Sequence, residues 1–261
     1  MSETITLDRD DEVAVITLSN PPLNLFTGET WQELLDCFGE VEGSDARALV
    51  WRAEGDIFTG GVDVASFQDV LDAGPQAAGG FAQPLIDGVR RLEALEIPTL
   101  ALVHGLCLTA GLEIALGCDV IWAERSSKFG LVEAVVGLTP GAGGTQRMAE
   151  RAGPGRAREF VMTGGLYDAE TLERWGVVNR VVDDGEVHEK GMRFAHRLAS
   201  GPTRAHAATK RIVRAYCEGG VDRADEVTPG GFAELFATED LQGAVKTFLE
   251  KGPGNADFRG R

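Results

Sequence analysis

The chain is poor in positive charge and has no long apolar run. Lysine and arginine total 25 against 41 aspartates and glutamates, leaving a formal net charge of −16 at pH 7. Charge of that sign repels phosphate backbones and anionic headgroups, so neither nucleic acid nor a membrane surface is expected as a partner, and an acidic ligand needs a local basic patch. No stretch approaches the roughly 20 apolar residues of a membrane-spanning helix. The opening residues MSETITLDRDDEVAVITL lack a basic segment followed by an apolar one, so a cytoplasmic protein is expected.

Other absences narrow the chemistry. The four cysteines, Cys37, Cys107, Cys118 and Cys217, form no C-x-x-C pair, which removes support for a zinc cluster or redox motif and leaves reduced, mostly buried thiols. His104, His188, His196 and His206 make no H-E-x-x-H, and there is no G-x-S-x-G elbow, so no metal is expected and serine-hydrolase chemistry loses support. The glycine-rich turn PGAGGT at 140–145 lacks the G-x-G-x-x-G spacing and no Walker lysine follows it. A nucleotide-dependent dehydrogenase or kinase is disfavoured, and no cofactor is expected.

What is present is an ordinary globular composition, 261 residues with 43% apolar and 25% charged content, enough for one large domain or two smaller ones. EVAVITLS at 12–19 reads as a strand stopped by Asn20-Pro21-Pro22. Thr27 then caps a helix carrying Trp31, Leu34, Leu35 and Phe38 at helical spacing, closed by Gly43-Ser44-Asp45. ALVWR at 48–52 is a short strand that opens into the glycine pair Gly60-Gly61. DAGPQAAGGFAQ at 72–83 reads as a mobile surface loop or frayed helix, and an amphipathic helix spans 84–95. PTLALVHG and VVNRVVD are strands. From Glu186 onward the pattern is helical only, at 189–198, 203–218, 227–236 and 240–249. The expected layout is an α/β body over 1–185 and a helical region over 186–261 serving subunit contacts, with the last ten residues loose or docked on a neighbour.

The segment 103–147 concentrates the oddities. Glu113 and Glu133 sit twenty residues apart in otherwise apolar sequence. Burying an ionisable carboxylate is costly unless it is paired, hydrogen-bonded or neutralised. Thr109 is a capping type at the end of a strand, so Ala110 and Gly111 hold the first free N–H groups of the next helix, and positions three apart bring Glu113 beside Ala110. A second donor, the N–H of Val62, can come from the loop Thr59-Gly60-Gly61-Val62-Asp63. Such donors suit a carbonyl oxygen that gains negative charge. Two carboxylates in one dry pocket resist joint ionisation, so one can serve as base and the other as acid around a held water. The competing reading makes Glu113 a core carboxylate satisfied by an arginine or a backbone amide and puts Glu133 at a surface turn; for either residue alone that reading leads, and for the pair with the glycine loops it does not.

Pro140 to Thr145 forms a nest-like turn at a helix head, able to hold an anion or to pack closely. Arg147, Arg151, Arg156 and Arg158, and separately Lys210, Arg211 and Arg214, are basic sets that by default are solvated helix faces and otherwise a polyphosphate site. Trp51, Trp122 and Trp175 read as core, and His104 as packed or as supporting the site.

IFTGGVDV, VHGLCLTAGLEIALGCDVIWA, FGLVEAVVGLTPGAGGTQR and MTGGLYDAETLERWGVVNRVV resemble, in order and spacing, the crotonase or enoyl-CoA hydratase/isomerase superfamily. The resemblance implies a spiral of repeated ββα units, a homotrimer or dimer of trimers assembled through C-terminal helices, and an acyl-CoA thioester as substrate. It implies oxyanion-hole N–H groups at Val62 and Ala110, catalytic carboxylates at Glu113 and Glu133, and substrate contacts at Leu23, Gly61, Asp63, Thr109 and Gly141. Glu113 would then help hold and activate water while Glu133 exchanges a proton with the α-carbon, so that water adds to a trans-2-enoyl-CoA. An isomerase shifting a double bond, or a non-catalytic acyl-CoA binder, are the alternatives. The chain departs from the family pattern at Thr109 and Ala110, often glycines there, at Val62, often alanine, and at Val132, often proline. It also lacks the basic residue that some relatives place near 22–25.

Overall fold

A computed structural model describes residues 4–261. Its largest sheet has six strands: β1 (Ile5–Asp10), β2 (Val13–Leu18), β4 (Ala48–Ala53), β6 (Thr99–Val103), β8 (Val120–Glu124) and β11 (Arg180–Val182) lie side by side in that order. All pairs are parallel except β1 with β2. Parallel strands covered on both faces need apolar residues throughout, and every residue of β2 is buried. This is why VAVITL does not alternate. The sequence pattern did not announce β1, whose charged outer half is exposed.

Each central strand is followed by a short strand in a second layer and then by a helix. β2 leads to β3 (Leu25–Phe26) and α1 (Gly28–Glu42); β4 leads to β5 (Gly61–Val62), then α2 (Phe67–Ala73) and α3 (Pro75–Ala94). β6 leads to β7 (Leu106–Leu108) and α4 (Thr109–Gly117); β8 leads to β9 (Lys128–Gly130), then α5 (Gly144–Ala152) and α6 (Pro154–Thr163). The expected ββα repeat is therefore present. The short strands pair with one another: β3 with β5, a bridge from Thr59 to Cys107, then β7 with β9 and β9 with β10 (Tyr167–Asp168). α7 (Ala169–Arg174) follows, with the Asp168 side chain accepting from the N–H of Thr171 at 2.7 Å.

Local signals explain several boundaries. Thr27 accepts from the N–H of Thr30 at 3.2 Å, and α1 ends at Gly43. Residues 72–83 are neither loop nor frayed end: α2 stops at Gly74, whose φ of 90° breaks the helix, and α3 starts at Pro75 and runs through Pro84 to Ala94. Proline fits the first helical position because its missing N–H would have had no partner there. The small residues that read as flexible lie largely on the solvent side.

Beyond residue 186 come α8 (Val187–Ala199), α9 (Thr203–Phe236, broken at Gly219 and Gly220) and α10 (Glu239–Lys251). The change at Glu186 is one of composition, since packing runs across it: Val187, Ala195 and Ala199 share a buried cluster with Val13, Val50, Leu100 and Leu102 on one face of the large sheet. Gly191 permits the approach, since a Cβ there would lie 2.2 Å from Leu102 Cδ2. The C-terminal residues dock on their own chain. The Asp240 carboxylate accepts from the N–H groups of Arg259 and Gly260 at 2.7 and 2.8 Å, and Arg47 Nη1 donates to the carbonyl of Phe258. Trp175 is half-buried rather than core, with the Arg156 guanidinium 4.6 Å from its ring centre.

Candidate active site

α4 is apolar all round beyond its first residue, Thr109, except for Glu113, and eight of its nine residues are buried, Glu113 among them. A carboxylate there needs donors brought to it. They come from the turn at 140–144, where Gly143 at φ 99° orients the chain so that the N–H groups of Ala142 and Gly144 both donate to Glu113 Oε1, at 2.9 and 2.7 Å. The nest holds an anion, and that anion is the protein's own. Gly144 leaves no room for a side chain, since a Cβ there would lie 2.8 Å from Glu113 Cγ.

The turn is itself clamped. Arg147, buried in the first turn of α5, donates through Nη1 to the carbonyls of Ala142 and Gly143, both at 3.2 Å. Its other nitrogens, Nε and Nη2, pair with both oxygens of Glu93 at 2.6 Å. Of the two basic sets, Arg147, Arg151 and Lys210 are tied into the fold, and the others lie on exposed helix faces. Arg151 donates to the carbonyls of Leu116, Cys118 and Val177, and Lys210 pairs with Asp119 at 2.7 Å. Arg211 pairs with Glu96 and Glu234, Arg214 with Glu218 and Arg156 with Glu159, while Arg158 is exposed.

Burial pushes the Glu113 carboxyl up to about 7. The Gly144 amide opposes this, the nearby Glu133 charge adds to it, and the Ala142 amide and Arg147 oppose it. Glu133 opens a short 3-10 turn, Glu133–Val136, after β9. Its carboxyl is also raised by desolvation, against its own backbone amide. Oε2 is shielded from solvent and has no hydrogen-bond partner among the described residues. Val135 and Val136, its apolar neighbours in sequence, stand exposed, so the shielding of Glu133 comes from elsewhere. Glu133 is close enough for its charge to raise the Glu113 carboxyl further.

Val62, Gly61 and Thr109 meet at the N-terminus of α4, where Ala110 follows. Ala110 is buried in the first turn, where a helix has no internal acceptor for its amides. Thr109 does not cap the helix as expected. It sits at φ 44°, and its hydroxyl instead accepts from the N–H of Val62 at 3.2 Å. Gly61, at φ 100°, lets the loop pass under that hydroxyl, and its own N–H donates to Thr59 Oγ1 at 2.9 Å. The Leu23 carbonyl accepts from Gly60 N–H at 2.7 Å, which brings the half-exposed Leu23 side chain to the same loop. The Asp63 carboxylate is engaged locally, accepting from the N–H of Ala65 at 3.0 Å. Gly141 lies in the turn that holds Glu113, with open space where a Cβ would be.

The residues that hold this arrangement carry little signal in the sequence. The buried Asn24, at φ 50°, donates to the carbonyls of Glu54, Ile57 and Phe58 at 2.7, 2.9 and 3.3 Å, fixing the chain just before Thr59. Thr59 in turn donates to the Asn24 carbonyl at 2.7 Å. Glu93, an ordinary helix-surface glutamate by pattern, carries no signal at all. His104 is buried and packed, with Nε2 2.9 Å from the carbonyl of Gly55 and its ring against Phe58 and His188.

A helix-end amide, a facing glycine loop and two raised carboxyls on a ββα spiral define a protein of the crotonase type. Residues 8–260 match the enoyl-CoA hydratase/isomerase family, and the chain belongs to that family. It is 31% identical over 250 residues to the short-chain-enoyl-CoA hydratase of Clostridium acetobutylicum, covering 95% of each chain. It is 32% identical to the crotonyl-CoA hydratase of Syntrophomonas wolfei, covering 97% of each. A solved enoyl-CoA hydratase subunit I of Geobacillus kaustophilus superposes with a TM-score of 0.91 at 31% identity, covering all of both chains.

Proposed function

We propose that the protein is an enoyl-CoA hydratase that adds water syn across a trans-2-enoyl-CoA to give the 3-hydroxyacyl-CoA. The observation that carries this is the buried Glu113 carboxyl, held by the amides of Ala142 and Gly144 and raised by burial and by the nearby Glu133 charge, with Glu133 itself raised by burial. Such a pair favours one shared proton over two charges. One member takes a proton from water as its oxygen bonds to C3; the other gives a proton to C2; the pair begins and ends with one proton. Fixing Glu113 by Oε1 leaves its second oxygen to hold that water, while Glu133, with Oε2 unpartnered among the described residues, faces the α-carbon. The thioester oxygen accepts from the amides of Val62 and Ala110, where the positive helix end favours developing negative charge. Leu23, Gly61, Thr109 and Gly141 border the acyl group. Asp63 is held back by its turn.

The substrate supplies its own coenzyme A, and the residues assign no step to any further cofactor. The exposed Phe232, Phe236, Phe248 and Leu249 on α9 and α10 support assembly of trimers or hexamers through these helices. The test is loss of the conjugated-thioester absorbance on mixing the protein with crotonyl-CoA. Hydration of crotonyl-CoA is expected; conversion of a 3-enoyl-CoA alone would make the protein an isomerase, and thioester binding without turnover would make it a binding protein.

A further inference from the structure

The two loops that meet at the thioester site interlock by a reciprocal pattern. In each, a threonine stands two residues before a glycine: Thr59 and Gly61 in one, Thr109 and Gly111 in the other. Each threonine lies against the other loop's glycine. A Cβ on Gly111 would fall 2.1 Å from Thr59 Cγ2, and one on Gly61 would fall 1.9 Å from Thr109 Oγ1. The contact at Thr59 is made by a methyl and is packing. The contact at Thr109 is made by the hydroxyl, and it aims a polar group at the spot where the substrate oxygen is placed.

Thr109 holds that position against its backbone preference. A β-branched residue at φ 44° is a marked exception for L-amino acids, and sites that retain one often use it. The hydroxyl accepts from Val62 N–H at 3.2 Å, so it occupies the donor assigned to the thioester oxygen. An oxygen accepting from Val62 N–H shares that donor with Oγ1, which already accepts from it at 3.2 Å, so the two oxygens are brought side by side in the donor's direction. Two oxygens tolerate that placement only when one points a hydrogen at the other. A threonine hydroxyl can do so by rotation about its C–O bond, since it is donor and acceptor at once.

We infer that the Thr109 hydroxyl is a third donor to the thioester oxygen: in the empty site it accepts the Val62 bond, and on substrate binding it turns its hydrogen to the oxygen as negative charge develops there. This rests on the hydratase reading above. No bond to oxygen breaks; the hydroxyl exchanges an accepted hydrogen bond for a donated one.

The test compares Thr109→Ser, Thr109→Val and Thr109→Gly with the unaltered protein on crotonyl-CoA. It adds a titration of bound acetoacetyl-CoA, whose enolate absorbance reports how strongly the site stabilises negative charge on oxygen. The unaltered protein must hydrate crotonyl-CoA; if it does not, the hydratase reading fails and not this one. Serine is expected to stay within a few-fold, while valine and glycine lower kcat about 100-fold with little change in KM and raise the pH at which the bound enolate forms. Glycine removes the backbone strain, so its result stands even if the valine variant does not fold. Glycine or valine variants as fast as the unaltered protein, or faster, would overturn the proposal and make the hydroxyl a bystander or an obstruction.

Discussion

Gly144 and Glu113 are thirty-one residues apart in the chain, and the amide of the first lies 2.7 Å from the carboxylate of the second. That bond joins the head of α5 to the middle of α4 and fixes which carboxyl oxygen is left for chemistry. The glycine matters for space and not for backbone freedom, as its φ is not positive. Alanine at 144 would put a Cβ 2.8 Å from Glu113 Cγ, 3.0 Å from Oε1 and 3.1 Å from Leu131 Cδ1. The carboxylate is the softest of these neighbours and would be displaced. Gly144→Ala should lower kcat on crotonyl-CoA by roughly 100-fold while destabilising the fold by only about 1–3 kcal/mol, measured by steady-state kinetics and urea unfolding.

Glu113 is raised from 4.5 to about 7, which ties stability to pH with a definite sign. A carboxyl whose folded pKa lies above its unfolded one favours folding when protonated. Its contribution is fully present below about 4.5 and is lost as pH rises through about 7. Glutamine keeps an oxygen for the amides of Ala142 and Gly144 and carries no charge. Each pH unit separating the folded and unfolded values is worth about 1.4 kcal/mol, so relative to Glu113→Gln the unaltered protein should lose about 3 kcal/mol between about pH 4 and pH 8. Urea midpoints of the two proteins across that range check this, and parallel curves would show that the carboxyl is not raised.

Arg147 serves the site without facing the substrate. Removing it leaves the carbonyls of Ala142 and Gly143 without this donor and Glu93 without its bidentate partner. Breaking a buried pair typically costs about 3–5 kcal/mol, and the low end applies because the Glu93 side chain is 31% exposed. Arg147→Met should cost about 3 kcal/mol in urea unfolding and move the Glu113 carboxyl further up, because the arginine charge holds it down. Lysine should not restore the protein, since a single ammonium cannot reproduce the fork that spans Glu93 and two carbonyls.

How much of this was legible depends on whether a residue's partners are near it in sequence. Thr27, Gly43 and the α3 spacing announce themselves because a cap or a helical face is local. Glu113 and Glu133 stood out because a carboxylate amid apolar residues is anomalous wherever it occurs. Glu93 and Asn24 did not, because their importance lies in partners 54 and up to 34 residues away. Thr109 misled for a related reason. Its type and place suit a local cap, and a long-range bond to Val62, 47 residues away, took the hydroxyl instead. The small residues at 75–83 read as flexible because propensity is weak there, whereas Pro75 and continuity with the amphipathic stretch make them helix.

Glu133 separates catalysis from stability most cleanly. Its Oε2 has no hydrogen-bond partner among the described residues, and burial raises its carboxyl, so the fold gains little from its charge. Glu133→Gln should leave the urea midpoint unchanged or slightly higher, while lowering kcat on crotonyl-CoA by about 100- to 10,000-fold, the usual contribution of a positioned acid or base. It should also lower the Glu113 pKa from about 7, because the neighbouring charge that raises it is gone. Carbon-13 titration of the glutamate carboxyls in the variant measures that change without needing turnover. An unmoved Glu113 titration with a normal rate would separate the two carboxyls and remove Glu133 from the proton exchange.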